Sequence, residues 1–384
     1  MADSTTKDIQ GDDVTQPTLP LLSRIRAGAI AYTFQGALNG IRHLTNLHGY
    51  FYPAECKPDA VKTYSCRPGL NISIYYPKTY DKSSSQLLPT LFNIHGGGFC
   101  IGDPHDDNEL NARFSDINNV LVIALNYRKA PQYPFPTAVY DLEALMLAAY
   151  NDKTLPIDKS RIAVGGYSAG GSLTLSVCQL PSIRETIKPA AALPVYAIVE
   201  HTTPLEQKYK LRHYKPGLAP GKRSSETDML AFIADVFEWA YVPLVQDLRD
   251  PLLSPFYAPR EALPPHIFFV ASELDMLSHE TWRMASKFAG RPVPTFADKV
   301  GQPEPASKPG ELILDDEKFA FEKFDDDGKR SVRWLLIPDQ IHGFDRTRFS
   351  LHGSEEALHD ARLKTEAYQK AQGEWLHQVA WKKN

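Results

Sequence analysis

Long hydrophobic runs are missing from this chain of 384 residues. None approaches the roughly 20 apolar residues of a membrane span, so stable membrane insertion is not expected. Net charge is almost missing as well: 42 basic and 46 acidic residues leave −4. A nucleic-acid footprint would be basic and clustered, so that class of partner is excluded. Cysteine is scarce. Cys56, Cys66, Cys100 and Cys178 fit no zinc spacing, and no metal or cofactor is expected. Residues 1–16 are polar, without the apolar stretch of a secretory signal. The default expectation is therefore cytoplasmic residence with free thiols. A homodimer is compatible with this composition.

What is present suits a large folded unit. Hydrophobic residues make up 43% and charged residues 23%, enough apolar surface for a sizeable core. Residues 1–20 read as a loose tail. From Leu21 to His48, Ala27, Ile30, Phe34, Ala37, Ile41 and Leu44 recur at three- and four-residue steps, as on one helix face. Such a stripe is expected to pack on the rest of the protein.

Strand-like runs follow at 71–76, 90–94, 120–125, 161–164, 193–199, 266–271 and 331–337. Helical segments separate several of them, notably Thr137 to Tyr150. Near-continuous apolar strands alternating with helices predict an α/β fold whose mostly parallel central sheet is covered on both faces.

Two stretches break the alternation. Residues 202–249 are too long for a simple crossover and carry a helical pattern through Met229, Phe232, Ile233, Val236, Phe237 and Ala240. Residues 291–329 are rich in Pro, Lys, Asp and Gly and read as a surface insertion, with a short helix or strand at 317–324. The expected organisation is an N-terminal tail and cap segment at 1–50, core at 51–201, a cap insertion at 202–249, and core again at 250–384.

Gly166-Tyr167-Ser168-Ala169-Gly170 is a G-x-S-x-G turn between an apolar run and a helix-compatible one. That order exposes a serine hydroxyl at the tip of a strained turn. Upstream stands His95-Gly96-Gly97-Gly98-Phe99, a loop of the kind that supplies oxyanion-binding amides. Gly97 and Gly98, with the amide of Ala169, are the expected donors. His95 is expected to brace that loop. No lysine follows the glycines, as a phosphate loop would require.

A serine hydroxyl needs a base, and the base needs an orienting acid. The chain order expected with such a turn is Ser, acid, His. The run at 266–271 leads to Asp275, with Glu273 as the nearest rival, and the run at 331–337 leads to His342. Ser168, Asp275 and His342 are the candidate nucleophile, orienter and base. The cap aromatics Phe232, Phe237, Trp239 and Tyr241, with Phe99 and Tyr167, suggest an apolar pocket, of which Phe99 and Tyr167 are the named candidates.

These motifs stand in the same order as in a known family. The chain resembles the hormone-sensitive-lipase-like carboxylesterase branch of the α/β-hydrolases. The resemblance rests on His95–Phe99, Tyr127-Arg128, Ala130-Pro131, Pro134-Phe135-Pro136, Asp141, Gly166–Gly171, Asp250-Pro251, Ser254-Pro255, Asp275-Met276-Leu277 and His342-Gly343-Phe344. It implies a helical cap made from the N-terminal helix and the 202–249 insertion. It implies a serine hydrolase cleaving esters of small or medium apolar substrates through an acyl-enzyme. Tyr167 departs from the family, which often has Asp there, and is expected beside the nucleophile. The same fold also serves acyltransferases, dehydratases and cyclases, and non-catalytic small-molecule receptors.

Overall fold

The computed structural model describes residues 15, 20–51, 56–218, 221–306, 308–346 and 352–382. Nine strands are seen among them: β1 (Ala60–Thr63), β2 (Asn71–Tyr75), β3 (Leu88–Ile94), β4 (Leu121–Leu125), β5 (Ile157–Tyr167), β6 (Ala191–Val195), β7 (His266–Ser272), β8 (Ala320–Phe324) and β9 (Ser331–Ile337). They form one sheet in the order β1-β2-β4-β3-β5-β6-β7-β9-β8. From β4 to β9 every neighbouring pair is parallel. β1, β2 and β8 run antiparallel at the two edges.

The helices are α1 (Leu21–Phe51), α2 (Asn108–Asn118), α3 (Thr137–Asn151), α4 (Ala169–Val177), the single turn α5 (Leu205–Lys208), α6 (Ala234–Tyr241), α7 (Ser278–Phe288) and α8 (Glu355–Trp375). Alternation along the strands decides which side chain meets which helix. Ile123 and Leu125 on β4, with Ile162 and Val164 on β5, pack in one cluster with Leu142, Leu145 and Leu173 of α3 and α4. Val122, Ala163 and Val270 point the other way, into a cluster with Phe114 of α2 and Tyr368 and Trp375 of α8. Both faces being covered explains why the central strands read as unbroken apolar runs. Each fully buried Val, Leu or Ile among them contributes about 1.5–3 kcal/mol.

The sheet has a topological switch. From β3 the chain crosses through α2 to β4 on one side, and from β5 it crosses through α4 to β6 on the other. The loops leaving β3 and β5 therefore part in opposite directions and leave a crevice at their carboxyl ends. The glycine loop follows β3 and Ser168 follows β5.

The N-terminal stripe forms one helix, but its buried face is narrow. Ala27 and Ala31 are buried, Ala31 against Ile233 and Val236 beside α6, while Ile30 stays exposed. The side chains of Ile41 and Leu44 lie outside the described ones. Gln35 of α1 donates from Nε2 to the carbonyls of Cys100 and Ala130, at 2.7 and 2.6 Å. α6 is shorter than the pattern from Met229 suggests, because residues 229–233 turn before the helix begins. The stretch 291–329 is largely irregular and exposed, yet Val300 and Phe319 are buried in the cluster around Phe269 and Trp334. The short element expected at 317–324 is the edge strand β8. All four cysteines are free. No helix among the described residues is long and apolar enough to cross a membrane.

Candidate active site

The turn after β5 forces the geometry of Ser168. Its φ of 55° lies in the left-handed region, uncommon for a residue with a side chain. Glycines at 166 and 170 make the turn possible. A Cβ on Gly170 would stand 2.1 Å from the Ile94 carbonyl oxygen, and one on Gly166 would stand 2.4 Å from the carbonyl oxygen of Gly170. The Ser168 N–H donates to Val195 at 2.9 Å, and α4 starts at the next residue.

Asp275 follows β7 and His342 follows β9, neighbouring parallel strands whose ends lie side by side. The Ser168 hydroxyl and His342 Nε2 are 2.9 Å apart. His342 Nδ1 and Asp275 Oδ2 are 2.7 Å apart. Asp275 is fully buried, and its other oxygen accepts from the Leu277 N–H at 3.0 Å. Burial works against a charge on His342, but the carboxylate of Asp275 outweighs it, with smaller help from Asp228 and Asp345, and raises the imidazole above its ordinary value.

Glu273, the rival acid, is occupied elsewhere. It binds Lys215 at 2.7 Å and accepts the Asp339 N–H at 2.8 Å. Lys215 also reaches Asp339 Oδ1 at 2.6 Å, and all three side chains are buried. This lysine of the 202–249 segment thus ties the ends of β7 and β9 together, just before Asp275 and His342. Breaking a buried ion pair by removing one partner costs about 3–5 kcal/mol. Lys215→Met leaves two carboxylates facing each other and is expected to lower unfolding stability by about that much. Chemical denaturation measures it, and a loss below about 1 kcal/mol would contradict this role.

The glycine loop borders the same space. Gly97 and Gly98 have φ of 118° and 56°, and a Cβ on Gly98 would lie 2.1 Å from the Phe237 ring. His95 braces the loop as expected: Nδ1 lies 2.7 Å from the Gly96 carbonyl oxygen and the ring stacks on Tyr127 at 4.5 Å. Burial lowers its pKa well below the ordinary value, which keeps it neutral. Behind the loop, buried Asp141 takes the Arg128 backbone N–H and guanidinium at 2.8–3.0 Å, joining the exit of β4 to α3.

Ser168, His342 and the glycine loop open into a cleft with a cavity volume of about 230 Å³, open in part to solvent. Its far wall comes from the 202–249 segment, chiefly Leu205, Met229, Leu230, Ala234, Phe237 and Tyr241. Phe99 lines it too, stacked on Tyr241 at 3.6 Å between centroids. Phe232 instead is exposed, and Trp239 packs with the Ala31 cluster.

Tyr167 corrects the sequence reading: it is not in the pocket lining. Strand alternation sends it to the same face as Ala163, among Leu110, Phe114 and Tyr368, with its hydroxyl 3.5 Å from Gln369 Nε2. Three contributors lack a motif. Tyr196 sets its ring 4.8 Å from that of His342 and donates to Asp345 at 2.7 Å. Asp345 also accepts from Tyr368 at 2.7 Å. Asp228 accepts the Met276 N–H at 2.8 Å, and burial with the nearby Asp275 charge pushes its pKa up to about 6. Among the described residues no group of three His, Cys, Asp or Glu side chains could hold a metal.

The family described as "alpha/beta hydrolase fold" matches residues 91–301, more than half of the chain. The chain belongs to this family. Within it, the relatives place it in the hormone-sensitive-lipase-like carboxylesterase branch, as an enzyme of the α/β-hydrolase type. An arylesterase of Saccharolobus solfataricus is 30% identical over 232 residues, covering 60% of this chain and 70% of that protein. An ethyl acetate hydrolase of Pseudomonas putida is 34% identical over 161 residues, covering 40% of this chain and 50% of that protein. The solved structure of a hyperthermophilic esterase from Pyrobaculum calidifontis superposes with a TM-score of 0.59 at 20% identity, covering 93% of this chain and 99% of that one. At that identity the likeness speaks for the fold.

Proposed function

We propose that this α/β-hydrolase cleaves carboxylic esters of small or medium apolar substrates through an acyl-enzyme on Ser168. The observation that carries the proposal is the continuous chain Ser168–His342–Asp275, at 2.9 and 2.7 Å, opening on an apolar cleft. His342 takes the serine proton as the hydroxyl attacks the ester carbonyl, then returns it to the leaving alcohol. Asp275 holds the ring so that Nε2 faces the serine. The backbone amides of Gly97, Gly98 and Ala169 receive the developing oxyanion, a contribution of roughly 10²–10³ in rate per donor. A water then attacks the acyl-enzyme by the same route in reverse. The activities named for the arylesterase and the ethyl acetate hydrolase support this class of substrate.

A helical cap at 202–249, with α1 packed on it, forms the cleft's roof in this reading. Its buried attachments, from Lys208 to Glu280 and from Lys215 to Glu273 and Asp339, favour a cap bolted in place over one that must swing open at a lipid surface. An acyl transfer differs only in replacing the water by another alcohol. The test is a panel of aryl esters of rising acyl length. Cleavage of the short and medium members supports the proposal, and no cleavage of any contradicts it.

The pH dependence follows from His342. The base works only when neutral, and its pKa is raised. The activity kcat/KM is therefore expected to climb with pH and to reach half its plateau above about 6.5, the ordinary histidine value. A profile already flat from pH 5.5 upward would contradict a His342 base.

A further inference from the structure

The cleft has one polar place in its cap-side wall. His201 and Glu238 line it there, next to Leu205, Ala234 and Phe237. His201 is only 7% exposed, and its position is set from behind by its own N–H donating to Ser254 Oγ at 3.0 Å. Its Nδ1 stands 3.6 Å from Glu238 Oε1. Burial works against the charge on Glu238, but His201 beside it outweighs that and holds the carboxyl below its usual range. An ionised Glu238 favours the proton on Nδ1. The other ring nitrogen, Nε2, is buried and makes no hydrogen bond to any described residue. Lys208 does not serve it, since its ammonium is bound to the Glu200 carbonyl at 2.5 Å and to Glu280.

A buried ring nitrogen without a partner among the described residues, in the wall of a substrate cleft, is unfavourable unless something bound there meets it. We propose that His201, oriented by Glu238, is a specificity-determining residue that recognises a hydroxyl group on the substrate, carried some distance from the ester bond. This rests on the ester-hydrolase reading. A hydroxyl fits because it accepts and donates, so it meets Nε2 in either protonation form of the ring. A carboxylate fits less well, because Glu238 shares the site and would repel it. Beyond the catalytic residues, the other charged groups in the lining, Lys208 and Arg346, are ion-paired to Glu280 and Asp107, and most of the remaining wall is apolar, so the preferred substrate is an ester with an aliphatic or aromatic body and one remote hydroxyl.

The test uses matched aryl esters whose acyl chains end in a methyl or in a hydroxymethyl group, and a second matched series with the hydroxyl on the alcohol part. In the wild type, kcat/KM for the hydroxylated member of one series is expected to exceed its methyl partner by roughly tenfold, the scale of one well-made hydrogen bond. His201→Phe is expected to bring that ratio to one or below, and His201→Gln, which keeps a polar group, to restore part of it. Labelling of each variant by a fluorophosphonate reports that its site is assembled. Equal ratios in wild type and His201→Phe, in both series, would overturn the inference while leaving ester hydrolysis intact. Failure of the wild type to cleave any member would overturn the ester-hydrolase reading and this inference with it.

Discussion

Ser168→Ala is expected to lower kcat for a short aryl ester by about 10⁵-fold or more, with the fold and substrate binding kept. The size follows from the chemistry. Without the hydroxyl no acyl-enzyme forms, and what remains is the positioning of water beside the oxyanion-binding amides, as in serine hydrolases stripped of their nucleophile. The residue is small, and the turn that carries it is held by Gly166, Gly170 and the Ser168 N–H to Val195, not by its hydroxyl. Thermal unfolding should therefore shift little. Steady-state kinetics on purified variant, with the same preparation checked by circular dichroism, makes the measurement. A residual rate within a hundredfold of wild type would mean another nucleophile.

The second large effect is expected at Asp275. Asn in its place keeps the shape but presents an amide to His342 Nδ1. The ring then turns its proton toward Ser168, the wrong tautomer for a base, and the loss is about 10⁴-fold in kcat near neutral pH. Glu273 offers the control. It lies two residues earlier, equally buried, but its partners are Lys215 and the Asp339 and Gln302 N–H groups. Glu273→Gln should act on stability, through the charge left on Lys215, and leave the chemistry of the folded enzyme in place. The reverse pattern, a large kcat loss at Glu273 and a small one at Asp275, would assign the acid wrongly.

How much of this was legible in the chain depends on what kind of physics set each feature. The central strands were, because burial on both faces demands apolar side chains at every position. β1 was not: four residues alternating between half-buried and exposed leave too little pattern to read. The Ser168, Asp275 and His342 positions were legible because each sits just past a strand that itself reads clearly, and parallel strands bring such ends together. The direction of Tyr167 is not given by its nearness to Ser168 in sequence. The alternation of Ile162, Ala163 and Val164 would have put it on the α2/α8 face.

The supporting residues gave no local sign. Lys215, Asp228 and Tyr196 act across long stretches of chain, and their partners are known only once the sheet has brought them together. The 202–249 segment shows the same limit. Its length marked it as an insertion. That Lys208, Arg212 and Lys215 each reach buried carboxylates, and that one ring nitrogen of His201 has no hydrogen bond to any described residue, belongs to three-dimensional packing alone. The 291–329 stretch reads as surface by composition, and its single apolar anchors, Val300 and Phe319, are too isolated to form a pattern.

The most direct test of the central claim is covalent. The protein is treated with a fluorophosphonate, digested, and its peptides weighed. The expected result is one adduct per chain, on Ser168, forming with the pH dependence of the esterase activity and lost when His342 is replaced by Ala. An adduct on a different residue, or an active enzyme that takes none, would contradict a Ser168 nucleophile activated by His342.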